Sequence, residues 1–176
     1  MKENIDTTMK KILSIHITPA DGSLSDIYKQ QIGGYPKFYK MDPLAKLGFI
    51  ASELLISQEA AERFVDREDR AIVLVNRSAS LAADQKYEET IQIGENYFPS
   101  PADFVYTLPN IVTGEIAIRN HYYGETNFIC TDDKSDVDSI VSLAFRDPMA
   151  TSVLGGWLEY KSVEEYEAEL SIYVKE

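Results

Sequence analysis

The sequence predicts an α/β domain in which a mixed, mostly parallel five-stranded sheet carries helices on both faces. Three observations lead there. Ala71 to Asn76, AIVLVN, is an unbroken apolar run of strand length, and a strand buried on both faces belongs inside a parallel sheet covered by helices. Leu44, Leu47, Gly48, Ala51, Leu54 and Leu55 recur at helical spacing behind Asp42 and Pro43, which suit a helix cap and first turn. Along the rest of the chain short apolar segments alternate with helix-like ones, the pattern that builds layered α/β sheets.

Taken in order, residues 1–10 read as a flexible leader and residues 11–176 as a single domain. Lys11 to Ile17 is a short strand, closed by turn chemistry at Pro19, Asp21 and Gly22. Ser23 to Lys37 is polar, with Gly33, Gly34 and Pro36, and reads as a loop or short helix before the helix that Asp42 caps. The buried strand Ala71 to Asn76 follows, then a loop around Ala79 to Asp84 and a short polar helix up to Ile91. Pro99, Pro101 and Pro109 break the chain, because proline removes a helix donor and crowds the preceding turn. A helix then runs from Ile111 to about Tyr122 with Asn110 as cap, and Gly114 inside it marks a close helix packing. Asn127 to Thr131 is a strand, Asp136 to Phe145 a helix, Ser152 to Tyr160 a strand, and the alternating end LSIYVKE a final strand.

Composition narrows the function classes. The 176 residues, 44% of them hydrophobic, can bury one real core but hardly two. Acidic residues outnumber basic ones 29 to 17, a net charge of -12, which argues against nucleic acid and anionic membrane as partners. One cysteine excludes an internal disulfide, no apolar run reaches membrane-spanning length, and cytoplasm is the default location. The sequon Asn76-Arg77-Ser78 is read as accidental.

The segment Ser100 to Asp133, SPADFVYTLPNIVTGEIAIRNHYYGETNFICTDD, resembles the part of beta-ketoacyl synthases (3-oxoacyl-[acyl-carrier-protein] synthases) that runs through a helix and a strand into the nucleophilic cysteine. Ser100, Pro101, Asn110, Gly114 and Gly124 fall on that pattern without a gap, and continuing the count places Asp133 where the family has its cysteine. YKMDPLAKLGFIASELL is similar to the family's first long helix, and Gly155, Gly156 and Glu159 resemble its paired glycines and acid. The helix between Asp133 and Gly155 is a few residues shorter than the family's. Covering roughly Lys37 to Tyr160, the resemblance implies the N-terminal half of a thiolase-like fold, without the later histidines or asparagine that complete the catalytic set.

A carboxylate cannot replace that thiol, because its acyl adduct would be a mixed anhydride, more reactive than the thioester it came from. Cys130 is the one alternative nucleophile, and inside an apolar strand a free cysteine reads as a small buried hydrophobe. His121, at a helix end, is expected to meet the terminal carbonyls. Asp132, Asp133, Asp136 and Asp138 lack the spacing of a calcium loop and read as helix-capping acids. Tyr97, Phe98, Phe104, Tyr106, Tyr122 and Tyr123 read as core and interface residues. No phosphate loop, dinucleotide fingerprint, nucleophile elbow or zinc array is present, and no cofactor or metal is expected.

The resemblance therefore implies a catalytically silent ketosynthase-like accessory subunit of fatty-acid or polyketide/polyene-type biosynthesis. Its partner would be a second copy or a full-length ketosynthase, through Asn127, Phe128, Ile129, Cys130 and Thr131. Acyl carrier protein is a further candidate partner, although Lys29, Lys37, Lys40 and Lys46 make only a modest basic patch for it. The alternatives are a 3-oxoacyl-[acyl-carrier-protein] synthase fragment or minimal enzyme using Cys130, and an acyl-chain or acyl-carrier-protein binding module.

Overall fold

The computed structural model describes residues 8–92 and 97–176. Five strands form one sheet: β1 (Met9–Ile17), β2 (Arg70–Asn76), β3 (Thr126–Cys130), β4 (Ser152–Ser162) and β5 (Glu165–Lys175). Among the described residues six α-helices accompany them: α1 (Leu24–Gln31), α2 (Pro43–Ile56), α3 (Leu81–Ile91), α4 (Pro101–Val105), α5 (Ile111–Asn120) and α6 (Val137–Ser142). Of the expected leader, residues 1–7 lie outside the described residues, while Met9 and Lys10 already belong to β1.

The strand order is β1-β5-β4-β2-β3. β2 lies between β3 and β4 and is parallel to both, whereas β5 is antiparallel to both β4 and β1. The sheet is therefore evenly mixed rather than mostly parallel. The physical reason is the connection after β4: only Val163 and Glu164 separate it from β5, and so tight a hairpin can join only antiparallel neighbours.

Strand alternation divides the interior in two. Ile72, Leu74, Leu154, Leu158, Leu170 and Ile172 face the larger core, with Leu47, Phe49, Ile50, Val112 and Ile116 of α2 and α5. Val73, Val75, Val153, Trp157 and Tyr173 face the other side, under Val137 and Val141 of α6 and Phe145. β2 is buried along its whole length, as its unbroken apolar run requires. Toward β1 and β5 the α6 side turns polar: Ser14 Oγ lies 2.8 Å from Ser171 Oγ, and His16 Nε2 lies 3.0 Å from Glu167 Oε1.

Helix α2 starts as its sequence predicts, with the Asp42 carboxylate accepting from Leu44 N–H at 3.2 Å and Ala45 N–H at 2.9 Å. The close helix packing involves a different glycine from the one expected. A Cβ on Gly48 of α2 would lie 2.5 Å from Val112 Cγ1 and 3.0 Å from Leu158 Cδ2, while one on Gly114 would have no neighbour within 4 Å. Gly48 thus lets α2 approach α5 and β4, and Gly114 faces open space. The predicted helix over Asp136 to Phe145 is broken up: 3-10 turns at Lys134–Asp136 and Leu143–Arg146 flank α6, which has only six residues.

Candidate functional site

The carboxyl ends of β2 and β3, beside the middle of β4, form the candidate site, as is usual where loops leave the strand ends of an α/β sheet. Asn76 ends β2 and is fully buried. Its Oδ1 accepts from Ala79 N–H and its Nδ2 donates to Ala79 O, each at 2.9 Å, which pins the turn in which Ala79 adopts a positive φ of 49°. A sequon asparagine held in this way has no free amide for glycosylation in the folded chain.

Glu159 of β4 secures the same loop. Its carboxylate accepts from Arg77 N–H at 2.9 Å, from Ser78 N–H at 3.3 Å and from the Ser78 hydroxyl. The acid behind the paired glycines is therefore an anchor for the loop after β2. The Arg77 guanidinium in turn donates to the carbonyl of Asp132, joining the loops after β2 and β3.

Asp133 does stand at the start of a helical turn. It is the cap of Lys134–Asp136, and its side chain accepts from Ser135 N–H at 2.8 Å, a bond that holds the carboxyl below its usual range. The residue is on the surface and is not among those lining the adjoining cleft. That cleft, about 500 Å³, has Arg77, Lys134, Trp157, Glu159, Tyr166 and Glu167 among its walls. Lys134 Nζ lies 2.8 Å from Glu167 and 2.9 Å from Glu169. Burial opposes charge on this ammonium, but the two carboxylates outweigh it and its pKa is raised. Burial likewise works against the Glu167 carboxylate, and Lys134 and His16 more than compensate, so its pKa is lowered.

Cys130 corrects the expectation of a buried cysteine: it is exposed. Among the described residues β3 is an edge strand, paired with β2 alone, so its last residue is left uncovered. The Cys130 thiol lies 3.7 Å from Asn76 Oδ1, and among the described residues neither histidine contacts it. His121 has left-handed backbone (φ 59°) at the end of α5, and its Nδ1 lies 3.1 Å from Asp66 Oδ1, so the ring meets a carboxylate instead of the terminal carbonyls. Thr131 lies just beyond β3, and its hydroxyl donates to Asp136 at 3.1 Å and accepts from Asp133 N–H at 3.3 Å. Asp138 accepts from Tyr173 O–H at 2.9 Å and pairs with Lys11 at 3.0 Å. Among the described residues no three metal-ligating side chains gather into a group able to hold an ion.

The aromatic set separates. Tyr122 is buried and Tyr106 half-buried, whereas Tyr97, Phe98, Phe104 and Tyr123 are exposed in the single chain. Burial first, and then the Glu115 carboxylate, push the Tyr106 phenol up to about 12. Sequence reading missed Glu53, a buried carboxylate on α2 bound by Arg63 (2.9 Å), Arg119 (3.3 Å) and Asn120 (3.2 Å). Its one sequence signal is an acid in an otherwise apolar helix segment, FIASELLI.

No known protein family and no curated protein matches the chain by sequence. Solved structures do match it. The ishigamide ketosynthase/chain length factor superposes with a TM-score of 0.73 at 16% identity, over 96% of this chain and 62% of that one. A ketosynthase in complex with its chain length factor from Xenorhabdus doucetiae gives 0.67 at 12% identity, over 96% and 79% of the respective chains. A type II PKS acyl-carrier protein in complex with its ketosynthase bound to the hexaketide gives 0.68 at 10%, over 95% and 58%. The chain thus has the thiolase-like fold of the ketosynthase/chain length factor structures. It spans about 62% of the length of the first of them. Among the described residues no helix is long and apolar enough to cross a membrane.

Proposed function

We propose that this protein is a catalytically silent, ketosynthase-like accessory subunit that works by association in fatty-acid or polyketide/polyene-type biosynthesis. The observation that carries the reading is Asp133. At the position where the resemblance expects a nucleophilic thiol stands a solvent-exposed carboxylate whose side chain is engaged in capping a turn. The fold supports the reading, since similar structures were solved as a ketosynthase with its chain length factor and as a ketosynthase with an acyl-carrier protein. The partner is a full-length ketosynthase or a second copy of this chain, with acyl carrier protein as a further one.

Edge strand β3 is the surface proposed for assembly. Among the described residues no strand neighbours its outer edge, and an exposed edge invites pairing. Beside it Ile118 of α5 is 66% exposed and Tyr123 is 65% exposed, apolar surface suited to burial under a partner. Glu125 and Thr131 turn their backbone groups to β2, through Ile72 N–H to Glu125 O and Thr131 N–H to Asn76 O, so the alternate residues Phe128 and Cys130 turn theirs to the free edge. Cys130→Pro removes one such outward donor and is expected to weaken assembly at least about 10-fold, the effect of roughly one lost, buried hydrogen bond. Light scattering across a concentration series, with and without candidate ketosynthases, measures this. A folded monomer at every concentration that captures no ketosynthase would rule the association out.

Asp133→Cys is expected to yield no condensation with acyl and malonyl carrier-protein thioesters, because groups that act as a unit do not recover function singly. Formation of a 3-oxoacyl product by that variant alone would overturn the silent-subunit reading. The exposure of Cys130 is what favours the second reading, a minimal 3-oxoacyl-[acyl-carrier-protein] synthase. Turnover by the native protein that Cys130→Ala abolishes would establish it. Tight carrier-protein or acyl-chain binding with neither turnover nor assembly would instead mark a binding module.

A further inference from the structure

On the side of the sheet away from α6, the chain has a second cleft of about 380 Å³ between the starts of α1 and α2 and the β4–β5 hairpin. Its size lies in the range of small-molecule sites. Pro19, Leu24, Pro43 and Val163 make apolar walls. Tyr160 and Tyr166 also line it, their rings stacked with centroids 5.8 Å apart and planes inclined by 13°. Tyr166 O–H is engaged, donating to Gly22 O at 2.8 Å. Tyr160, only 7% exposed, lines the cleft with a hydroxyl that makes no hydrogen bond among the described residues. Burial, and then the Asp42 charge, push its phenol up, so at neutral pH it is a donor.

The cleft also departs from the charge of the molecule. In a chain of net charge -12, Lys46 is the one charged residue lining it among the described residues. The Lys46 ammonium forms no ion pair among the described residues and sits 5.8 Å from the centroid of the Phe38 ring. The first amides of α1, on Leu24 and Ser25, belong to the same wall and lack intrahelical partners, as the first turn of any helix does. Three acids of these helix starts have local partners: Asp42 caps α2 and also interacts with the Lys46 charge, Asp26 accepts from the Ser23 hydroxyl at 2.7 Å, and Asp21 accepts from Thr18 N–H at 2.8 Å.

We propose that this cleft is a binding site for a small aromatic carboxylate, the planar body lying against the tyrosine pair and the carboxylate taking the Tyr160 hydroxyl and the Lys46 ammonium. An aromatic body suits stacked rings and proline walls, and an anionic head engages the Tyr160 hydroxyl and the Lys46 ammonium together. The site shares Pro19 and Tyr166 with the first cleft but includes no residue of the loops around Asp133 or of β3, so it stands or falls independently of the accessory-subunit reading.

Titration of the full chain with naphthoate, followed by amide chemical shifts, tests it. Saturable binding is expected, with shifts centred on Ser23 to Ser25, Lys46 and Tyr160 to Tyr166. Naphthamide, the neutral isostere, and the variants Lys46→Met and Tyr160→Phe are expected to bind on the order of 10-fold more weakly, the effect of one charge-assisted hydrogen bond. Lys29→Met, outside the cleft, should leave affinity unchanged. Equal binding of naphthamide and naphthoate by the native protein, absence of saturation, or shifts centred elsewhere would each overturn the proposal. The naphthamide comparison decides the matter even if a variant fails to fold.

Discussion

Gly156→Ala is expected to destabilise the domain by more than about 4 kcal/mol, a large part of the stability of an ordinary domain. Two independent causes combine. Gly156 has φ +147°, a backbone conformation that side-chain-bearing residues rarely adopt, and it sits in the middle of the β4–β5 ladder opposite Leu170. A Cβ there would also lie 2.1 Å from Glu169 O and 2.9 Å from Leu170 Cα, and both are backbone atoms that cannot rotate away. Gly114→Ala is the matching control. Its Cβ meets nothing within 4 Å in the middle of α5, so alanine should stabilise by about 0.5 to 1 kcal/mol through helix propensity. Urea unfolding of the two variants measures both. A Gly156→Ala protein within 1 kcal/mol of the native one, by the ordinary spread of surface substitutions, would show that the hairpin can re-form without the positive φ.

Glu53→Ala is expected to cost about 3 kcal/mol, the lower end for breaking a buried ion pair by removing one partner. Glu53 is 4% exposed, and its carboxylate holds Arg63 from the α2–β2 loop together with Arg119 and Asn120 from α5. The lower end applies because the two arginine side chains keep 26% and 22% of their surface in water and can rehydrate in part. Arg119 also lies 4.9 Å from the Tyr35 ring and 4.6 Å from the Phe64 ring, contacts that survive the substitution. Since the carboxylate tethers the loop after α2, limited proteolysis of the variant should cut first between Ser57 and Asp69. A denaturation midpoint unchanged from native, or cleavage beginning elsewhere, would show that packing alone holds this loop.

Much of the fold was legible in the sequence because local chemistry and tertiary outcome agree there. Asp42 and Pro43 start α2, the run AIVLVN becomes a fully buried strand, and Asp133 caps a turn as its place before a helical segment requires. The mixed sheet was less legible. Turn-length spacing between β4 and β5 is present in the sequence, but which edge each strand joins depends on the whole sheet. Cys130 was misplaced for the same reason: the apolar character of NFICT announces a strand without saying whether it lies at the centre or the edge.

What the sequence alone determined was the alternation of strands and helices and the presence of a carboxylate at position 133, since these depend on periodicity and residue type at one place in the chain. Only the tertiary structure decided which glycine lets helices meet, that Glu159 anchors the loop after β2, that Glu53 draws two arginines together, and that Tyr160 and Lys46 share a cleft. Each of those features joins residues far apart in the chain. Their energies arise from distance, burial and the loss of water, quantities that come into being only when the chain closes on itself.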